Sequence, residues 1–168
     1  LFSMALVAGC SSQPAQTSPA NNLPSTETKE FADQAFLKDV IANVEARNLL
    51  VDSSPESLTQ TELIDYYTKY LQAEEPTKEY ANKDFEDAGL KEKALQYIDQ
   101  LNKQAEALQY AKNGDMDTFQ LKWDESSAQR AAILVELVDK YSLPFKYIDE
   151  FREQAQSVLS PQKADIAG

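Results

Sequence analysis

This sequence predicts an all-α fold, an up-and-down antiparallel bundle of four to five helices. Three observations carry that expectation. Apolar residues recur at three- and four-residue spacing along successive segments, which gives each segment one stripe to bury as a helix. No segment of useful length alternates with period two, and no tandem repeat of fixed period points to a solenoid. Helix breakers fall between the stripes, at Pro55, Pro76, Asn113-Gly114 and Pro144.

The first helix is expected from about Thr28 to Asn48, with Phe31, Ala35, Leu37, Val40, Ile41 and Val44 as its core-facing set. The run Asp52-Ser53-Ser54-Pro55 interrupts it. The second opens at Thr59-Gln60-Thr61-Glu62, where Thr and Glu three residues apart can satisfy free amides reciprocally. It carries Leu63, Tyr66, Tyr67, Tyr70 and Leu71 and stops before Pro76. Residues 77–89 read as a short helix or turn containing Tyr80 and Phe85.

The third helix, Leu90 to Lys112, has a seam of Ala94, Ile98, Leu101, Ala105 and Leu108. Asn113-Gly114 supplies a left-handed cap and Asp115 caps the next helix, so the two helices must run antiparallel. The fourth covers about Met116 to Tyr141, with a stripe of Phe119, Trp123, Ser127, Arg130, Leu134, Leu137 and Tyr141. After Leu143-Pro144 a last helix is expected from about Phe145 to Leu159, through Ile148, Phe151, Ala155 and Val158.

Composition bounds the function. With 42% hydrophobic residues and only 4 Gly and 7 Pro in 168 residues, one domain can bury a genuine core. The net charge of −12 opposes nucleic acid and opposes the body of the domain lying on anionic lipid. Histidine is absent and cysteine occurs once, which excludes an intrachain disulfide and a Cys/His zinc site. No cofactor and no metal are expected.

Residues Leu1 to Gly9 form the end of an apolar stretch that closes on small residues before Cys10. The run Leu6-Val7-Ala8-Gly9-Cys10 resembles the lipobox of bacterial lipoproteins. That resemblance implies that Cys10 becomes the first mature residue and carries diacylglycerol. Residues 1–9 then read as part of a signal peptide, and acyl chains on Cys10 give durable membrane anchoring. Ser11 to Thr26 hold no charged residue and three prolines, so this segment reads as a tether with an end-to-end reach of about 20 Å. The expected organisation is 1–9 signal peptide, 10–26 lipidated cysteine and linker, 27–160 helical domain and 161–168 tail.

Candidate chemistry in the body is sparse. Glu74-Glu75, Asp84-Glu86-Asp87, Asp115/Asp117 and Asp124-Glu125 are acidic pairs that 28 acidic residues make inevitable, and they read as solvated faces and caps. Asn113-Gly114-Asp115-Met116-Asp117 has its glycine before the ligands instead of after the third, so it reads as a turn and not a calcium loop. Gly89 and Gly114 read as helix punctuation, leaving no phosphate cradle. Tyr66, Tyr67 and Tyr70, with Tyr97 and Tyr110, suit a sugar or peptide surface, or rings packed inside with hydroxyls at the rim.

Arg130 is the most informative polar residue, seven after Trp123 and seven before Leu137 on the core-facing stripe. Three readings stay open. It pairs with a carboxylate of another helix, it extends its stem to the rim, or it forms an anion pocket beside Trp123.

Scattered positions also resemble a loosely defined group of uncharacterised lipoproteins of Gram-positive bacteria. They are Val44-Glu45-Ala46-Arg47, Phe85 with Leu90, Tyr97-Ile98 with Leu101 and Gln104, Trp123, Arg130, and Leu134 through Tyr141-Ser142-Leu143. The resemblance implies a small helical extracytoplasmic domain without established activity, and a Gram-positive surface ahead of a Gram-negative outer membrane.

The expected function is non-enzymatic binding at the cell envelope. The membrane is met through the lipid anchor, and the partner is an envelope protein or wall polymer. The alternatives are a carboxylate-dependent wall hydrolase and a prophage-type exclusion lipoprotein.

Overall fold

The computed structural model describes residues 30–52 and 57–159, all-helical with no strand among them. The lipobox-like run, Cys10, the linker and the tail 161–168 lie outside the described residues, as does most of the break at 52–55. Five α-helices and one 3₁₀ segment form the bundle: α1 (Asp33–Asp52), α2 (Gln60–Glu74), the 3₁₀ helix (Glu75–Asn82), α3 (Ala88–Lys112), α4 (Met116–Tyr141) and α5 (Ile148–Leu159). Each α-helix packs on the next, and α1 also touches α3.

The first helix starts later than its apolar pattern suggests. Backbone groups before Asp33 are engaged elsewhere, since the Ala32 amide donates to Asp84 O at 2.8 Å. The Asp33 carboxylate accepts from the amides of Glu86 and Asp87 at 2.8 and 2.9 Å. These long-range bonds hold the entry in a non-helical turn at exposed Phe31, and Ala35, inside the helix, lies off the buried face. Phe36 takes the core position, with Leu37, Val40, Ile41 and Val44.

The cap of α2 forms as its sequence dictates. The Thr59 amide donates to Glu62 at 2.8 Å and the Thr59 side chain accepts from the Glu62 amide. Pro76 ends the α-helical bonding, and the chain tightens into the 3₁₀ segment that buries Thr77 and Tyr80. Helix α3 starts at Ala88, two residues ahead of the expected Leu90, and Asp87 caps it by accepting from the amides of Gly89 and Leu90. Gly89 therefore lies inside the first turn. A hydrogen bond from Tyr141, together with these amides, lowers the Asp87 carboxyl to about 2.

Gly114 adopts φ +87° between α3 and α4, a conformation that favours glycine, and Asp115 caps α4 through the Thr118 amide. Ser142 ends α4 in the left-handed region. The last helix starts at Ile148 and not at Phe145. Pro144 disfavours a helical Leu143, and Phe145 and Tyr147 reach the core from the non-helical connection, which turns at residues 146–147, with Phe145 edge-on to Phe151 at 5.2 Å.

Two apolar clusters fill the bundle. The larger joins α1, the 3₁₀ segment, α3, the C-terminal half of α4 and α5 around Phe36, Tyr97, Leu101, Leu134 and Phe151. The smaller joins α2, the end of α3 and the start of α4 around Tyr70, Leu108, Phe119 and Trp123. Helix α4 runs between α3 and α5, which explains why it is buried on most sides from Ser126 to Val138.

Candidate functional site

A polar layer separates the two apolar clusters. On four segments, a polar residue falls where the chain passes from one cluster to the other: Arg47 after Val44, Glu74 after Tyr70, Gln104 after Leu101 and Arg130 before Leu134. Each continues an apolar stripe at three- or four-residue spacing, so helix geometry turns each inward.

The layer is organised around Glu74, which is fully buried. Its Oε1 accepts from Arg130 Nη1 at 2.6 Å and from Arg47 Nη1 at 2.7 Å. Its Oε2 accepts a short hydrogen bond from the Tyr97 hydroxyl. Arg130 also donates to Tyr97 Oη at 3.0 Å, and Arg47 to Gln104 Oε1 at 3.0 Å. Gln104 in turn donates to Ser127 Oγ at 2.7 Å. Arg47 lies over the rings of Tyr70 at 4.7 Å and Trp123 at 5.5 Å, and Arg130 over Phe151 at 5.3 Å.

Burial alone pushes the Glu74 carboxyl upward. Arg130, Arg47 and the Tyr97 hydroxyl outweigh it and hold the group below the ordinary glutamate range. Burial drives the Tyr97 phenol up, and the Glu74 charge adds to that, so Tyr97 stays neutral. Two guanidiniums facing one carboxylate leave the layer with one positive charge in excess, inside a chain of net charge −12.

Arg47, Ser127 and Arg130 of this layer reach the wall of a cleft of about 590 Å³ between α1, α2, α4 and α5. Arg47, Tyr66, Tyr67, Tyr70, Trp123, Ser127, Arg130, Tyr147 and Phe151 line it, with Glu150 and Glu153 exposed along α5. Arg130 Nε and Tyr147 Oη are buried there with no hydrogen-bond partner, the two such side-chain atoms among the described residues. A larger groove of about 910 Å³ between α3 and α4 has mostly exposed polar walls, among them Lys103, Glu106, Gln109 and Lys122, and no unmet buried atom. The smaller cleft is therefore the candidate site.

The structure brings Arg130 and Trp123 to the same cleft and gives Arg130 its carboxylate partner on another helix. It overturns the reading of Glu74 as part of a solvated acidic pair, because the helix ends with Glu74 on the inward stripe and only Glu75 exposed. Tyr97 is fully buried and its hydroxyl lies in the ion cluster, not at a rim. Tyr70 is buried, Tyr66 and Tyr67 are half-buried, and Tyr110 stays exposed on the other face beside Lys122. Ala105 is half-buried, and Gln104 occupies the seam in its place.

Among the described residues, no group of three or more His, Cys, Asp or Glu is placed to hold a metal, and no helix is long and apolar enough to cross a membrane. Comparisons with protein-family models, curated proteins and solved structures find no match to this chain.

Proposed function

We propose that this chain is a lipoprotein that acts by binding, without catalysis, at the outer face of a cell membrane. Lipid on Cys10 tethers it there, with a Gram-positive surface favoured over a Gram-negative outer membrane. The observation that carries the binding role is the cleft lined by Arg47 and Arg130, with their shared partner Glu74 buried behind them. The Glu74 carboxylate behind the cleft is held below its ordinary range, whereas a general acid needs a raised pKa. No histidine is present to serve as a base. Fixed charges and aromatic walls suit recognition of a ligand that leaves unchanged.

The tether supports the address. An apolar run closes on the only cysteine, and residues 11–26 that follow carry no charge. A domain on such a lead meets envelope proteins and wall polymer close to the membrane.

Metabolic labelling with a fatty acid tests the anchor. The parent chain should take up label and sediment with membranes, while Cys10→Ala should lose both properties with its helical content unchanged. Equal labelling and sedimentation of the two proteins would overturn the assignment.

A further inference from the structure

We propose that the cleft lined by Arg47 and Arg130 receives a small molecule bearing a single carboxylate on a flat apolar body. This rests on the binding role above and names its ligand class.

Charge is the first argument. The polar layer holds two guanidiniums against one carboxylate, at 2% exposure for Arg130 and 4% for Arg47. In so dry a setting a net cation is stabilised by an anion brought from outside far more than it would be on the surface.

The unmet hydrogen-bonding atoms define the head group. Arg130 Nε can only donate, and Tyr147 Oη has a proton to give. Both residues line the cleft, and the two atoms lie covered just beneath its wall, so a head group meets them as those side chains turn toward it. A carboxylate has two oxygens and no proton, so it can accept from both. A neutral amide offers one oxygen and brings donors that meet like donors.

The walls and mouth define the rest. Tyr66, Tyr67, Trp123 and Phe151 present rings suited to a flat apolar body. Arg47 already lies over Tyr70 and Trp123, so a ligand cation at those rings meets a resident one. Glu150 and Glu153 oppose a second negative charge. One charge is therefore favoured over two.

Trp123 is the chain's only tryptophan and reports on the cleft directly. The full chain is titrated at constant ionic strength with benzoate, benzamide, benzylammonium and phthalate, reading tryptophan emission. Benzoate should give a saturable change, and the other three should bind at least about tenfold more weakly. Tyr147→Phe removes a hydroxyl that bonds to nothing in the free fold, so it should keep the thermal midpoint while weakening benzoate about fivefold.

Equal affinity for benzoate and benzamide would overturn the ligand class while leaving a cleft that binds. An unchanged benzoate affinity in Tyr147→Phe would overturn the assigned head-group contacts and the proposal with them. Silence from all four compounds would remove the site. None of these outcomes depends on acylation of Cys10, so the anchor stands or falls separately.

Discussion

Glu74→Gln is expected to cost about 3–5 kcal/mol of folding stability, a large part of what holds a domain of this size together. The substitution keeps the shape and removes the charge. Arg47 and Arg130 are then left facing each other in a core where Glu74 had been their shared partner. Arg130→Met acts differently. It removes two hydrogen bonds but leaves Arg47 and Glu74 as a one-to-one pair, so a smaller loss of about 1–3 kcal/mol is expected.

Replacing Arg47, Glu74 and Arg130 together by Met or Leu should be neutral or stabilising, because desolvation of all three charges is then avoided. Urea denaturation of the single and triple variants, with the slope checked for constancy, measures the series. A Glu74→Gln protein as stable as the parent would show that the carboxylate does not hold the arginines. If the order is as expected, the excess cation is not there for stability, which agrees with the recognition role proposed above.

Trp123→Ala carries the second large effect, again about 3–5 kcal/mol. Trp123 is buried edge-on to Tyr67 at 4.4 Å, against Phe119 at 5.6 Å, and beneath Arg47. Trp123 belongs to the smaller apolar cluster, which also holds Tyr70 of α2 with Leu63, Ile64, Tyr66, Tyr67 and Leu71 packed against it. Its loss should therefore free α2 before the rest unfolds. Hydrogen exchange reads this directly. Amides of α2 should lose protection while those of α3 and α4 near Leu101 and Leu134 keep theirs, and uniform protection across the bundle would argue against two clusters.

Much of this was legible in the residues. The stripes, the Thr59 and Asp115 caps and the Gly114 turn are local, so spacing and side-chain chemistry specify them. Arg130 was visible as a charge on a core stripe. Its partner was not, because Glu74 stands beside Glu75 just before a proline, where it reads as solvated charge. The overlooked signal is spacing. Glu74 follows Tyr67 and Tyr70 on one helical face, as Arg47 follows Val40 and Val44, and Gln104 follows Tyr97 and Leu101. A polar residue that continues an apolar stripe belongs to a buried network.

The errors at helix starts have a different origin. Ala32 and Asp33 bond to Asp84, Glu86 and Asp87, more than fifty positions away, and no local pattern reports that. Phe145 and Tyr147 have helix-compatible neighbours but fill the core from a non-helical connection after Pro144.

The titration of Glu74 tests the central claim most directly, followed by carboxyl carbon NMR in a glutamate-labelled chain. Burial alone would lift this group, but two guanidiniums and a phenol hold it down. It should stay ionised as the pH falls through the ordinary glutamate value of about 4.3. With the folded value depressed, its contribution to stability is complete above that point and is lost only as the pH falls toward the lower folded value. A Glu74 carboxyl that takes up its proton above the ordinary value, in a chain still folded, would contradict the shared ion pair and the excess cation that follows from it.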